Sequence, residues 1–148
     1  MNLIAHRGNF QGREKDNENN PRHIDRSLIH GFDAEIDIWF MNDNWYLGHD
    51  YPFFQIEMNW LKERQNNLWI HCKNIEAIMR IRETDYKFNF FWHDNDDFAI
   101  TSKGFIWSHP KNGPVEGTIY VMPEKNDDAT FSLKLDGICS DNLISLRL

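Results

Sequence analysis

A chain of 148 residues that is 41% hydrophobic and 14% aromatic has the length and apolar content of one folded domain over 1–148, which excludes a disordered or fibrous chain. A net charge of −7 with no clustered Lys or Arg argues against nucleic-acid partners and against a polybasic membrane anchor. No apolar run approaches the ~20 residues of a bilayer span, so no membrane span is expected. Residues 1–5 lead straight into an apolar strand, and no secretory leader is expected either. Cys72 and Cys139 have neither metal-ligand spacing nor the pattern of a disulfide framework. A cytoplasmic location is the simplest expectation.

In chain order, residues 3–7 open as a strand and 21–30 as a helix, with Asn19-Asn20 before it and Gly31 as its stop. Residues 33–40 form a second strand, hairpinned to an extended piece at 44–47 through the turn Asn42-Asp43-Asn44. A helix follows at 57–64, a strand at 68–73 and a helix at 75–82 that Asn74 caps. Short apolar strands at 88–93, 98–101, 105–109, 118–122 and 137–140 complete the set, with a helical turn at 127–133. The gaps at 94–97 and 102–104 are too short for any helix.

The groups with chemistry fall at strand ends. Alternation puts Glu35 and Asp37 on one face of their strand and pairs His71 with Lys73, turning Cys72 away. Two carboxylates on an inner face need a counter-charge, either a divalent cation or Arg7 and Lys73 in a structural cluster. His6 and His49 have a side chain that takes and gives protons near neutral pH. His93 and His109 end later strands and are candidates for the pocket mouth. His23 and His30, on or beside the first helix, have the character of structural residues. Trp39, Trp69 and Trp107 lie inside strands, where packing is the default.

The order His6-Arg7-Gly8, Glu18-Asn19, Glu35-Ile36-Asp37, His49-Asp50 and His71-Cys72-Lys73 resembles the glycerophosphodiester phosphodiesterases, within the class that includes the phosphatidylinositol-specific phospholipases C. The match covers the first half of the chain, with Gly137-Ile138-Cys139-Ser140-Asp141 a faint echo in the second. His71 stands where that family has a glutamate. The resemblance implies a phosphodiester hydrolase of lipid metabolism, with His6 and His49 as acid and base. It implies Arg7 and Lys73 on the phosphate, and one divalent metal on Glu35, Asp37 and His71. By family that metal is Mg²⁺ or Ca²⁺; the imidazole of His71 favours Mn²⁺, Co²⁺ or Zn²⁺. Glu18 lies beside the pocket in that family, but its segment equally suits a helix entry. Alternatives are an inactive domain that binds a phosphorylated ligand, and a phospholipase or sphingomyelinase D-like enzyme.

The resemblance also implies a TIM-type (β/α)₈ barrel. Such barrels run to ~250 residues, whereas 148 residues over eight units leave 18.5 each. The expectation is therefore a minimal (β/α)₈ barrel with several outer helices shortened or missing, and an open parallel sheet is the runner-up. With His93 facing the pocket, alternation turns Phe88, Phe90 and Trp92 outward onto a wall without a helix. A homodimer that covers this wall is expected, unless 110–117 or 124–130 folds back over it.

Overall fold

The computed structural model describes residues 1–126 and 134–146; the helical turn expected at 127–133 lies outside them. The strands are β1 (Asn2–Ala5), β2 (Asp33–Met41), β3 (Asn44–Leu47), β4 (Phe54–Ile56), β5 (Leu68–Cys72), β6 (Asn89–Phe91), β7 (Phe98–Ile100), β8 (Ile106–Ser108), β9 (Ile119–Val121) and β10 (Gly137–Ser140). The α-helices are α1 (Pro21–Ile29), α2 (Met58–Glu63) and α3 (Ile75–Arg82).

All ten strands belong to one mixed sheet. Its central path, β8-β9-β10-β1-β2-β5-β6, is parallel throughout. β3 pairs antiparallel with the far end of β2, β4 with β3, and β7 with β8. This corrects the expected fold class: the chain does not form a (β/α)₈ barrel, nor the purely parallel open sheet kept as runner-up. The reason lies in the connections. A parallel crossover takes a dozen or more residues. The segment between β7 and β8 is too short for that, so the chain doubles back as a hairpin. The stretch 48–53 does the same before β4.

Local chemistry explains the elements that form. Asn20 caps α1 by accepting the Arg22 amide, with Pro21 in the first turn. Asn42 and Asp43 both adopt left-handed φ, 50° and 60°, as a two-residue hairpin turn between β2 and β3 requires. Asn74 Oδ1 accepts the Phe40 and Ala77 amides, and Asn74 Nδ2 donates to the Phe40 carbonyl. One side chain thus continues the ladder past β5 and starts α3.

β2 is buried on both faces. Ala34, Ile36 and Ile38 pack with Ile24 of α1, Leu61 of α2 and Ala77 and Ile81 of α3. On the other side of the sheet lies a second core, where Ile4, Trp69, Phe91, Trp107, Ile119 and Cys139 come from six different strands. The Phe91 and Trp107 rings lie 4.7 Å apart, and the Ser102 amide donates to the Phe90 carbonyl. The sheet therefore curls until β6 and the β7–β8 hairpin meet, with this aromatic core inside. Its parallel strands all end on one rim. The expected uncovered wall is also corrected: Phe88 is buried, Phe90 packs against the helix-side core, and of the three only Trp92 is exposed.

Candidate functional site

The rim gathers residues from both ends of the chain. Glu35 and Asp37 lie on β2 and His71 near the end of β5, and one ligand atom from each lies within 4.8 Å of the others. Each of the three has a second polar atom held by the surrounding protein. Glu35 Oε2 accepts the Arg7 amide at 3.1 Å. Asp37 Oδ2 accepts from Asn19 Nδ2 at 2.8 Å, and Asn19 Oδ1 accepts the Asp37 amide at 2.8 Å. His71 Nε2 bonds the His93 carbonyl at 2.8 Å, and the carbonyl only accepts, so Nε2 carries the hydrogen. The opposite atoms converge. His71 Nδ1 stands 3.0 Å from Asp37 Oδ1 and 4.0 Å from Glu35 Oε1. Phe91 stacks on the His71 ring at 5.2 Å and fixes its plane.

The donor set fits a divalent cation. Two carboxylate oxygens and an imidazole nitrogen face one point, and the remaining nitrogen of the imidazole is tied to a backbone carbonyl, as metal-binding histidines are commonly oriented. The electrostatics of the three side chains agree. Burial and the Asp37 charge push the Glu35 pKa up. Burial opposes ionisation of Asp37 too, but the His71 hydrogen bond, the Arg7 charge and the Asn19 hydrogen bond hold its pKa far below the ordinary range. Only one of the two carboxylates is fully compensated by protein groups. Burial lowers the His71 pKa, but the bond to Asp37 and the nearby carboxylate charges outweigh it and leave it raised.

His6 follows β1, and its Nδ1 lies 2.8 Å from Asp141 Oδ1, at the end of neighbouring β10. Asp141 is itself held. Its Oδ1 also accepts from Asn9 Nδ2 at 2.9 Å, and its amide donates to Glu124 Oε1 at 2.8 Å. Burial would lower the His6 pKa, but the Asp141 bond and the Glu35 charge prevail and raise it. With Nδ1 engaged, Nε2 is the nitrogen left for a substrate.

His49 sits in the turn after β3. The Gly48 amide donates to the Asp37 carbonyl, and Trp39 Nε1 donates to the Gly48 carbonyl at 2.7 Å. A Cβ at Gly48 would stand 2.1 Å from the Tyr51 carbonyl oxygen, so the turn requires glycine. His49 Nδ1 bonds Asp50 Oδ1 at 2.7 Å in a more exposed setting than His6.

Arg7 adopts left-handed φ, 54°, which turns its amide towards Glu35. Its guanidinium bonds Glu18 Oε2 at 2.9 Å, and its Nε stands 3.2 Å from Asp37 Oδ2 without hydrogen-bond alignment. Glu18 therefore joins Arg7 and Arg13, and Asn20 rather than Glu18 caps α1. Lys73 lines the same cavity of about 390 Å³ as His6, Arg7, Glu35, His49 and His71. His93 and His109 also line it, with ring centroids 5.7 Å apart. His23 is buried with its Nε2 on Asn9 Oδ1, and His30 bonds the Arg26 carbonyl away from the cavity.

The seven residues singled out from sequence thus meet at one rim, Asp37 buried beneath the cavity floor. Sequence reasoning missed Asp141 as the partner of His6, and Asn19 as the partner of Asp37. The signal for Asp141 was a lone carboxylate at the end of an apolar strand. Comparison with known proteins returns no match: no family model fits the chain, and no curated protein or solved structure is significantly similar to it. Among the described residues, no helix is long and apolar enough to cross a membrane.

Proposed function

We propose that this protein is a metal-dependent phosphodiester hydrolase, with a glycerophosphodiester-like compound as substrate. The observation that carries the reading is the convergence of Glu35, Asp37 and His71 beside two carboxylate-held histidines. A divalent cation there, Mg²⁺ or Ca²⁺ by resemblance and Mn²⁺, Co²⁺ or Zn²⁺ by the His71 donor, supplies Lewis-acid polarisation of the phosphate. Arg7 and Lys73 orient phosphate oxygens and offset the charge that builds in the transition state.

His6 acts as the base through Nε2, with Asp141 fixing the other nitrogen as a proton carrier. It takes the proton from a neighbouring hydroxyl of the substrate, whose oxygen forms the new bond to phosphorus. His49 lies at the more open side, where a departing alcohol has room. It donates its proton to the leaving oxygen as that P–O bond breaks. A cyclic phosphate and a free alcohol result. His49 then takes a proton from water as the water oxygen bonds phosphorus, and His6 returns its proton to the ring oxygen that leaves, which completes the hydrolysis and resets both histidines.

The test is cleavage of the p-nitrophenyl ester of glycerol 3-phosphate, which carries the neighbouring hydroxyl the step requires, across a panel of divalent metals. Turnover that depends on added metal, and is lost in Glu35→Gln, is expected. Turnover without metal rejects the metal dependence; no turnover with any metal rejects the enzyme, and ligand binding without turnover then becomes the better reading. A lipid phosphodiester as substrate has one observation in its favour: Tyr51 and Phe53 stand exposed beside the catalytic turn. A homodimer remains a proposal. Its support moves from Phe88 and Phe90 to Trp92, Phe98, Ile100 and Ile106, the large apolar residues left exposed on β7, on β8 and just after β6.

A further inference from the structure

Next to the phosphodiester site lies a second, larger cavity of about 610 Å³. The two share Arg7 and His49. A diester bound at the shared edge has two arms, and one arm enters each cavity. The arm beside the metal ligands carries the attacking hydroxyl. The other arm, on the His49 side, is the alcohol that leaves.

The walls of the larger cavity are of two kinds. Tyr51 and Phe53 are each 59% exposed, and their rings meet edge to face with centroids 5.5 Å apart. Around them stand the charged side chains Arg13, Lys15, Asp16 and Asp50. An acyl chain would cover the rings but strip water from four charges without replacing it. A small polyol would satisfy the charges and leave the rings bare. A planar heteroaromatic ring answers both, since its faces stack on aromatic side chains and its edge donates and accepts hydrogen bonds.

We propose that the larger cavity is a leaving-group subsite for an alcohol bearing a heteroaromatic ring, as a nucleoside does, with Tyr51 and Phe53 as its specificity-determining residues. This rests on the phosphodiester reading of the adjoining site. Both aromatics belong to the turn that carries His49, so a ring seated on them also places the leaving oxygen near the histidine that protonates it.

The test uses three diesters with similar primary-alkoxide leaving groups, glycerol 3-phosphate esterified to the 5′-hydroxyl of adenosine, to ethanol or to octanol. Equilibrium binding to the metal-free protein is measured by calorimetry, and turnover is measured separately with metal present. The adenosine diester is expected to bind on the order of tenfold more tightly than the ethyl one, the usual worth of one stacked base. In Tyr51→Leu/Phe53→Leu, which keeps apolar bulk at an exposed site and removes the rings, the ratio should fall below about twofold. Equal binding of the adenosine and ethyl diesters to the wild type overturns the subsite. So does tighter binding of the octyl diester than of the adenosine one, which would mark a lipid site. An intact binding preference without turnover under any metal rejects the enzyme and leaves the subsite standing.

Discussion

The chain before residue 83 and the chain after it build their strands into the same sheet by different means. All three α-helices of the described residues fall in the first part, where helices cover the outer face of β2 and β5. Among the described residues of the second part there is no α-helix, and the strands are joined by short turns and 3₁₀ segments. The division extends to the site. The first part contributes the groups assigned to chemistry: His6, Arg7, Glu35, Asp37, His49, His71 and Lys73. The second contributes groups that aim them: Asp141 on His6, the His93 carbonyl on His71, and Glu124 on Asp141. The residues assigned to chemistry thus come from the first part alone, while those that orient them come from both, since Asn19 holds Asp37 and Asp50 holds His49 from within the first part.

The largest expected effect tests the reacting side. His6→Ala or His49→Ala should each lower turnover of a diester by at least ~10²-fold, the usual worth of a positioned acid or base. Near-normal rates in both, with circular dichroism unchanged, would sink the assignment. Metal affinity comes next. Removing an outer partner of a ligand typically costs ~10–100-fold, so Asn19→Ala should weaken Mn²⁺ binding by that factor in a calorimetric titration. His71→Ala should narrow the preference for Mn²⁺ over Ca²⁺. If Ca²⁺ binds as tightly as Mn²⁺ to the wild type and His71→Ala alters neither, His71 is not a ligand.

Asp141→Asn probes the aiming side and should cost about tenfold in kcat, less than loss of His6 itself. It also has a pH readout. A base must be neutral, so activity rises as pH passes the His6 pKa, which Asp141 helps to raise. Removing that charge should move the acidic limb of the pH–rate profile to lower pH. A loss as large as that of His6→Ala, with the limb unmoved, would erase the distinction between the two parts. The smallest effect is on stability. A histidine whose folded pKa lies above its unfolded value stabilises the fold fully below the unfolded pKa, and that contribution fades as pH rises through the folded pKa. The urea midpoint of the metal-free protein should therefore fall above about pH 6.5, the ordinary His6 value, and the fall should shrink in Asp141→Asn.

Much of the first part was legible in the sequence. Period-two alternation on β2 put Glu35 and Asp37 on one face, and caps such as Asn20 and Asn74 are local chemistry. Helix α3 was expected over its observed span, because its cap and its apolar spacing both lie within one segment. The second part yielded its strands but not its pairing directions. Whether β7 meets β8 parallel or antiparallel depends on the space a connection spans, not on the strand residues. β4 was missed because Phe54, Gln55 and Ile56 make too short a run to show alternation, and β3 supplies their partner. Asp141 was opaque for a different reason: its role exists only once β10 lies beside β1.

The His6–Asp141 contact spans 135 positions of sequence. As the chain emerges from the ribosome, Glu35, Asp37, His71 and the His93 carbonyl are all made well before Asp141. The proposed base His6 is thus made long before the carboxylate that orients it, whereas Glu35, Asp37 and His71 lie closer together in the chain. On the proposed mechanism, competence arrives with β10, and a chain cut short before it would keep Glu35, Asp37 and His71 but lack the carboxylate that aims His6.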